Sequence, residues 1–362
     1  MGTSANEGTV LVTGGAGYIG SHVVLQLVEA GERVVVLDDL STGFREAVIG
    51  AELIIGNVGD RDLAARILRE HGVDTVMHFA ARTIVPESVA DPLRYYGNNT
   101  CATRNLLECC RDAGVRQIVF SSTAAVYGIP QGGKAAEDTP TAPINPYGSS
   151  KLMSEWMLRD LAAAGGPRHV ALRYFNVAGC DPDGRVGQST KHATLLVKVA
   201  CEAALGKRPR LSIFGTDYDT PDGTGVRDYI HVADLARAHL QALKYLRGGG
   251  VSTTLNCGYG HGYSVREVLE AVGRAHGKPV PCVERARRAG DPPTLIAEAQ
   301  RIRQLLDWQP QHDDLDFIAR TSLEWERKLD GQGAIGPWLP KHDDFAMPPP
   351  RAPARAQSAA PH

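Results

Sequence analysis

The sequence predicts an α/β protein with a Rossmann-type, doubly wound parallel sheet and a second, smaller α/β lobe. Three observations predict this class: a glycine-rich turn after the first apolar strand, buried strands that alternate with helical segments, and an acidic residue at the end of the second strand. With 362 residues, the chain is long enough for one large or two medium-sized domains.

The N-terminal half alternates between short apolar runs and segments with helical spacing. Gly31 ends the first helical segment, because glycine is typical of the position just after a helix. Strands that alternate with helices favour a parallel sheet, whose ligands lie at the carboxyl ends of the strands. The predicted elements in chain order are strand 9–12, helix 21–30, strand 33–37, strand 73–79, helix 91–113 and strand 117–121.

The turn after the first strand has Gly14, Gly17 and Gly20 three residues apart. Glycine permits the tight turn, lets the backbone approach a pyrophosphate and lets the next helix pack closely on its strand. The first amides of that helix then point at the phosphates. Asp38, at the end of the second strand, is placed to hydrogen-bond an adenosine ribose, and its charge would repel a 2′-phosphate. Together these residues predict a site for NAD rather than NADP.

Tyr147 and Lys151 are one helical turn apart, so on a helix the lysine ammonium can lie beside the phenol. A phenol has an ordinary pKa of about 10. A lysine together with the positive ring of an oxidised nicotinamide can lower that pKa toward neutral pH. Composition alone produces such a pair in roughly one chain of this length in four, and an exposed helix pair is the alternative. With the glycine turn and Asp38 present, the pair indicates a tyrosine base that serves a bound dinucleotide.

Composition argues against several classes of partner. The chain has 39 Lys and Arg against 41 Asp and Glu, a balance that disfavours nucleic acid and favours small molecules. No apolar run approaches the ~18 residues of a membrane span, and residues 1–8 lack the pattern of a secretion signal. The seven cysteines form no Cys-x-x-Cys pair and the histidines no His-Glu-x-x-His motif, so we expect reduced thiols and no metal site. We therefore expect a cytoplasmic protein without a membrane partner.

The C-terminal half is less regular, with turn-rich loops at 181–190 and 217–225. Residues 228–247 predict a strand end followed by an apolar-faced helix, and residues 254–257 predict a strand. The run 264–267, Ser-Val-Arg-Glu, is a capping box that opens a helix ending near Gly277. We expect an NAD-binding domain at 9–176 plus about 228–258, a substrate-binding lobe at 177–227 plus about 259–345, a flexible N-terminus at 1–8 and a disordered tail at 346–362.

Seven sequence blocks are similar to the motifs of one known family. They include Tyr-Gly-Ser-Ser-Lys at 147–151 and Arg-Asp-Tyr-Ile-His at 227–231. The chain resembles, from about Thr9 to Trp325, the extended short-chain dehydrogenase/reductase family and, within it, the UDP-hexose 4-epimerases. The blocks are 13–22, 78–81, 95–99, 120–128, 145–151, 173–176 and 223–231.

The resemblance implies interconversion of UDP-glucose and UDP-galactose through a transient 4-keto sugar, with tightly held NAD that returns unchanged. It implies that Tyr147 removes the proton of the sugar 4-hydroxyl, that Thr123 binds the sugar oxygen and relays the proton, and that Lys151 holds the nicotinamide ribose. The family usually has serine at position 123, and because threonine keeps the hydroxyl we expect activity to be kept. Ala124 and Ala125 stand where related dehydratases carry an Asp-Glu acid–base pair, which disfavours elimination.

The resemblance also implies, position by position, a set of NAD contacts. Asn57 replaces the family's aspartate beside the adenine, and Thr83 replaces a lysine near the pyrophosphate, so we expect reduced nicotinamide affinity. The implied NAD-binding residues are Gly14, Gly17, Tyr18, Ile19, Gly20, Asp38, Asp39, Asn57, Val58, Phe79, Ala80, Ala81, Asn98, Ser121, Tyr147, Lys151, Tyr174 and Phe175.

The implied UDP-sugar site combines two arginines, which suit a diphosphate, with Phe214, which offers a face for the uracil. Leu195 and Leu196 align with a more polar pair, so one phosphate contact is expected to be missing. Leu295 stands where epimerases restricted to plain sugars have tyrosine, which predicts slow turnover of UDP-N-acetylglucosamine. The implied residues are Thr123, Tyr147, Asn176, Leu196, Phe214, Arg227, Tyr229, Arg288, Asp291 and Leu295.

Three alternatives stay open on the sequence. The first is an epimerase of another UDP-sugar, such as UDP-N-acetylglucosamine or UDP-xylose and UDP-arabinose. The second is a dehydrogenase that consumes NAD, and the third is a non-catalytic NAD-sensing protein on the same fold. The intact Tyr147 and Lys151 pair argues against a sensor. The family resemblance further implies a homodimer.

Overall fold

The computed structural model describes residues 8–191, 193–288 and 291–332. It has the α/β architecture that the sequence predicts. The strands are β1 Thr9–Thr13, β2 Arg33–Asp38, β3 Glu52–Ile55, β4 Val73–His78, β5 Gln117–Thr123, β6 Lys134–Ala135, β7 Arg168–Tyr174, β8 Asn176–Ala178, β9 Leu211–Phe214, β10 Val226–Arg227, β11 Tyr229–His231, β12 Thr253–Cys257, β13 Tyr263–Ser264, β14 Cys282–Arg285 and β15 Thr294–Ala297.

The helices cover both faces of the main sheet. They are α1 Tyr18–Glu29, α2 Arg61–Glu70, α3 Val85–Ala90, α4 Pro92–Tyr95, α5 Ala102–Asp112, α6 Pro146–Ala163, α7 Leu196–Ala204, α8 Val232–Arg247, α9 Val265–His276, α10 Gln300–Leu306 and α11 Leu315–Gln332. A π turn, Tyr96–Cys101, joins α4 to α5, and a short 3-10 turn, Ala124–Tyr127, follows β5.

Seven parallel strands form the main sheet, in the order β3-β2-β1-β4-β5-β7-β12. Side chains alternate between its two faces. Val10 and Val12 pack into a core with α1 and α8, whereas Leu11 packs into a second core with α2 and α5. Because the sheet is covered on both faces, the central residues of β1 and β2 form continuous apolar runs.

The parallel register brings the carboxyl ends of the strands together along one edge. Thr13 of β1 lies beside Leu37 of β2 and His78 of β4. On the other side of β4, Thr123 at the end of β5 pairs with Tyr174 at the end of β7. This edge therefore collects the glycine turn, the predicted acid and the predicted catalytic hydroxyl.

Short strands outside the main sheet form three smaller sheets, which were not predicted. One has the order β13-β10-β15-β6, and the others are the pairs β11-β8 and β14-β9. In the first of these, Arg227 of β10 lies beside Leu295 of β15. Two expected substrate residues that are far apart in sequence are thus neighbours.

The long helical segment predicted over 91–113 is confirmed, since α4, the π turn and α5 follow one another without a break from Pro92 to Asp112. Asp91 caps this run, because its side chain accepts a hydrogen bond from the Arg94 amide, and Pro92 occupies the first helical position. The π turn inside the run was not predicted. In this turn the buried Asn99 bonds both the amide and the carbonyl of Arg82.

The capping box at Ser264 is confirmed, and Gly277 ends α9 in the left-handed conformation. The strand β12 joins the main sheet from far along the chain, as the division into a nucleotide-binding domain and a second lobe requires, but that division remains a prediction. Expectations for residues 1–7 and 333–362 lie outside the described residues. Among the described helices, none combines the length and the apolar character needed to cross a bilayer.

Candidate active site

The glycine-rich turn between β1 and α1 has the shape of a pyrophosphate cradle. Gly14 adopts a φ of 72°, and a Cβ on this residue would lie 2.5 Å from the Ala80 amide nitrogen. Gly17 caps α1 without a side-chain acceptor. A Cβ on Gly17 would meet only the Gly14 carbonyl oxygen, at 3.3 Å, so space is open there. The first amides of α1, including that of Tyr18, are therefore available to a phosphate.

Asp38 is buried at the end of β2, where the predicted ribose contact belongs. Its two carboxylate oxygens accept hydrogen bonds from the Ala16 amide at 2.9 Å and the Leu40 amide at 2.8 Å. Burial raises the pKa of Asp38, and these two hydrogen bonds oppose the rise. The acid is thus fixed against the glycine turn, and its oxygens keep further lone pairs for a ribose hydroxyl.

The expected adenine contacts lie beside Asp38. Asp39 and Asn57 are exposed, and their side chains approach each other at 3.5 Å, while Val58 is buried. The Asn57 side-chain oxygen accepts a hydrogen bond from the Gly59 amide at 2.8 Å. The amide that replaces the family's aspartate therefore has a local structural partner.

The expected nicotinamide contacts lie at the ends of β4, β5 and β7. The amides of Phe79 and Ala80 bond the Thr13 carbonyl, so the chain after β4 is held against the glycine turn. The Phe79 ring lies 4.8 Å from the His239 ring, measured between centroids, and the Ser121 hydroxyl bonds the Tyr174 hydroxyl. In the π turn, Asn98 donates to Asn99. These residues form one continuous wall, and together with the cradle and Asp38 they fit a dinucleotide.

Tyr147 lies in the first turn of α6, with the Thr123 hydroxyl as its hydrogen-bond partner. Asn145 caps this helix by accepting from the Gly148 amide at 2.9 Å. Burial is the larger influence on Tyr147 and raises its pKa, while the bond with Thr123 lowers it. The protein's own groups thus leave Tyr147 protonated at neutral pH, so the base requires additional positive charge.

Lys151 follows one turn later, as predicted, and is buried. Its ammonium donates to the Ser121 carbonyl at 2.7 Å and lies 4.9 Å from the centroid of the Phe120 ring. Burial lowers the pKa of Lys151 to about 7, and the carboxylate of Glu155 opposes this fall. Lys151 therefore changes between its ammonium and neutral amine forms near neutral pH.

Glu155 and Arg173 form a buried ion pair next to Lys151 that was not predicted from the sequence. Arg173 also donates to the Tyr127 hydroxyl at 3.0 Å. The spacing of Lys151 and Glu155 on one helix face was a usable signal. A single sequence does not indicate that Glu155 pairs with Arg173 of β7.

The expected substrate residues fall into three groups. Phe214 ends β9, and the Arg288 guanidinium lies over its ring at 3.7 Å from the centroid. Arg227 bonds its neighbouring Val226 carbonyl at 2.8 Å. The Asp291 amide donates to the Arg288 carbonyl at 3.4 Å, and both of these residues are exposed. In the third group, Asn176 of β8 pairs with Tyr229 of β11, and Tyr229 is buried. Phe175 directly precedes Asn176, and Leu196 begins α7.

Leu295 and Phe175 are partly buried beside Ala124 and pack on the same small apolar cluster. The side chain expected to select the sugar therefore packs on the cluster that contains Ala124, the residue after Thr123. Among the described residues, no cluster of three or more His, Cys, Asp or Glu side chains could hold a metal ion.

Residues 10–258 match the NAD dependent epimerase/dehydratase family. A UDP-glucose 4-epimerase of Azospirillum brasilense is 59% identical over 322 residues, which are 89% of this chain and 92% of that protein. The crystal structure of UDP-glucose 4-epimerase from Brucella ovis in complex with NAD has a TM-score of 0.86 at 44% identity, covering 88% of this chain and 98% of that one.

The UDP-Glc/GlcNAc 4-epimerase from Campylobacter jejuni is also similar, with a TM-score of 0.78 at 47% identity, covering 89% of this chain and 99% of that one. Sequence and fold therefore agree over nearly the same span. The chain belongs to the NAD dependent epimerase/dehydratase family and, within it, to the UDP-glucose 4-epimerases, which are extended short-chain dehydrogenases/reductases.

Proposed function

We propose that the chain interconverts UDP-glucose and UDP-galactose by inverting C4 of the sugar through a transient 4-keto sugar. The observation that carries the proposal is the meeting of three groups: the Tyr147 phenol, its hydrogen-bond partner Thr123 and the buried Lys151 ammonium. They lie at the edge of the sheet where the glycine cradle and Asp38 also lie. This arrangement suits proton removal from a sugar hydroxyl beside a dinucleotide.

In this reaction Tyr147 accepts the proton of the 4-hydroxyl, and Thr123 holds the sugar oxygen and relays that proton. NAD, when bound, supplies reversible acceptance of a hydride from C4 and a cationic ring that lowers the pKa of the phenol. Lys151 keeps positive charge near Tyr147 and holds the nicotinamide ribose. Tyr147 then returns the proton after the keto sugar has presented its other face.

Ala124 and Ala125 favour epimerisation over elimination. They follow Thr123 directly, in the 3-10 turn, and Ala124 is buried beside the catalytic hydroxyl. Alanine cannot protonate a leaving hydroxyl, so a dehydratase mechanism has no acid at these positions.

For the substrate's nucleotide, we propose that Phe214 and Arg288 hold the uracil and the diphosphate. The Arg288 guanidinium, which lies over the Phe214 ring, is exposed, so it can rotate and bind a phosphate. Arg227 is the second cation at this site. Its guanidinium is held by the Val226 carbonyl, which orients it before substrate arrives.

Purified protein tests the proposal when it is supplied with UDP-galactose and no added NAD. We expect UDP-glucose to form until the two sugars reach equilibrium, and denaturation should release NAD from the protein. A dehydrogenase would instead require added NAD and accumulate NADH in proportion to product. An NAD-sensing protein would release NAD but convert no sugar, and either result would contradict the proposal. UDP-xylose and UDP-arabinose, assayed in parallel, test the pentose alternative.

Leu295 favours a second, slower activity toward UDP-N-acetylglucosamine. Leucine is smaller than the tyrosine of the restricted enzymes, and here it borders the cluster beside Ala124. We expect measurable formation of UDP-N-acetylgalactosamine, and we expect Leu295→Tyr to abolish it while keeping UDP-galactose turnover. Absence of the product at high enzyme concentration would refute this selectivity.

We further propose a homodimer that works in the cytoplasm. Val89, Leu93 and Trp156 are 62%, 79% and 46% exposed, and their helices α3, α4 and α6 pack together. Exposed apolar side chains grouped on packed helices are typical of a protein interface, and we propose that these three form one apolar face. All seven cysteines are free thiols, which supports a reducing compartment.

A further inference from the structure

A buried ion pair lies one helical turn beyond Lys151. Glu155 and Arg173 are only 6% and 7% exposed. The Arg173 Nε lies 2.9 and 3.2 Å from the two carboxylate oxygens, and its Nη2 lies 2.5 Å from one of them. The Ser122 hydroxyl donates to the same carboxylate. These bonds satisfy both carboxylate oxygens of Glu155.

The pair connects the three segments that carry the catalytic residues. Glu155 shares α6 with Tyr147 and Lys151, while Ser122 directly precedes Thr123 on β5 and Arg173 directly precedes Tyr174 on β7. The Arg173 guanidinium lies over the Tyr127 ring, and the Tyr127 hydroxyl donates to the Asn256 side chain at 2.6 Å. The carboxylate is thus fixed from several directions.

Lys151, Arg173 and Glu155 are three buried charges, and Glu155 is the only anion among them. Burial lowers the pKa of Lys151, and Glu155 is the group that opposes this effect. Loss of the carboxylate would leave two buried cations close together, and the lysine is the one that can release its proton.

Among the described residues, Glu155 is the carboxylate that opposes the fall in the Lys151 pKa. Glu137, which lies near Tyr127, accepts a hydrogen bond from the Asn256 amide at 2.9 Å. His78 on β4 is neutral, because burial and then Lys151 lower its pKa to about 3. Burial also raises the pKa of the phenols nearby, and the acids of the neighbouring helices are engaged elsewhere. The phenols are Tyr127, Tyr147 and Tyr174, and the engaged acids are Glu87, paired with Arg82 and Arg94, and Glu108, paired with Arg61 and Arg104.

We propose that Glu155 is a positioning residue of the active site: its carboxylate keeps Lys151 in the ammonium form and so sets the pH range over which Tyr147 acts as a base. The inference rests on the proposed epimerase function. Glu155 touches neither sugar nor cofactor and acts through Lys151, whereas burial and Thr123 act on Tyr147 directly.

The test is the pH profile of kcat for Glu155→Gln with UDP-galactose. The amide keeps the shape and can still accept from Arg173, but it removes the charge. Lys151 then loses its proton at lower pH, so Tyr147 is harder to deprotonate, and the rising acid limb of the profile moves to higher pH. We expect a shift of at least about half a pH unit, equal to roughly a threefold lower kcat on that limb, with KM little changed.

Glu326→Gln is the matched control. Glu326 is equally buried and is paired with Lys198, but it lies on α11 and has no contact with the catalytic helix. The two variants should lose stability alike, and only Glu155→Gln should move the profile. An unshifted profile for Glu155→Gln, or an equal shift for Glu326→Gln, overturns the proposal.

If Glu155→Gln does not fold, the double variant Glu155→Leu/Arg173→Met replaces the pair with apolar groups, which buried pairs often tolerate. It should shift the acid limb of the kcat profile in the same direction as Glu155→Gln, and an acid limb at the wild-type pH contradicts the proposal.

If the wild type converts no sugar, the proposed function fails. NMR titration of 13C-labelled Lys151 then tests the inference alone: its midpoint must fall in Glu155→Gln, and an unchanged midpoint refutes it.

Discussion

At the scale of single residues, the Thr123 hydroxyl connects the backbone to the catalytic phenol. Its oxygen accepts from the Ala125 amide at 3.1 Å, and it is the hydrogen-bond partner of Tyr147. The hydroxyl is therefore oriented before substrate binds. Serine would keep both bonds, whereas valine has the same shape as threonine and keeps neither.

We predict that Thr123→Ser keeps kcat within a few-fold of wild type and that Thr123→Val lowers kcat at least about tenfold, because a proton relay typically contributes that much or more. Steady-state turnover of UDP-galactose measures both. Equal rates for the serine and valine variants would show that the hydroxyl has no part in proton transfer.

The catalytic residues could be predicted from the sequence, but the buried ion pair behind them could not. Tyr147 and Lys151 are close in sequence, and helical spacing alone places them on one face. Glu155 and Arg173 meet only because α6 packs against the sheet, so their contact depends on tertiary structure. Burial raises the Tyr147 pKa and the bond with Thr123 opposes this rise, whereas the sequence had predicted a lowering by Lys151 and could not show the burial.

At the scale of elements, α9 begins with a capping box whose two bonds are both present. The Ser264 hydroxyl accepts from the Glu267 amide at 3.1 Å, and the Glu267 carboxylate accepts from the Ser264 amide at 2.7 Å. We predict that Ser264→Ala lowers the free energy of unfolding by about 1 kcal/mol, because an orphan amide at the helix start is left unsatisfied. Urea unfolding measures this loss, and Ser264→Thr is the control that keeps the hydroxyl. If alanine is as stable as threonine here, the capping box does not stabilise the helix.

Long periodic elements were predictable, whereas short or irregular ones were not. The strands β1, β2, β4 and β5 follow from apolar runs between turn residues. The two-residue strands β10 and β13 carry no periodicity, and their pairing comes from segments distant in the chain. The helical pattern of 91–113 did predict a helical segment, but not the π turn within it, where Asn99 bonds Arg82.

At the scale of the whole molecule, the apolar face of Val89, Leu93 and Trp156 predicts a homodimer. We expect Leu93→Arg to produce a monomer, because it places a charge at the most exposed of the three positions. Size-exclusion chromatography with light scattering measures this change. Val251→Arg, at an equally apolar and 70% exposed position, is the control and should leave the dimer intact. A wild-type monomer, or a dimer in Leu93→Arg, would contradict the assigned interface.

Tyr147 is the base that works beside bound NAD in the proposed mechanism, and the kcat of Tyr147→Phe tests this role most directly. The phenylalanine variant keeps the ring and loses only the hydroxyl. We predict that kcat for UDP-galactose falls at least about 100-fold, since loss of a general base typically costs that much, while the affinity for UDP changes little. Turnover near the wild-type rate, in protein that still carries NAD, would contradict the role of Tyr147 and with it the proposed mechanism.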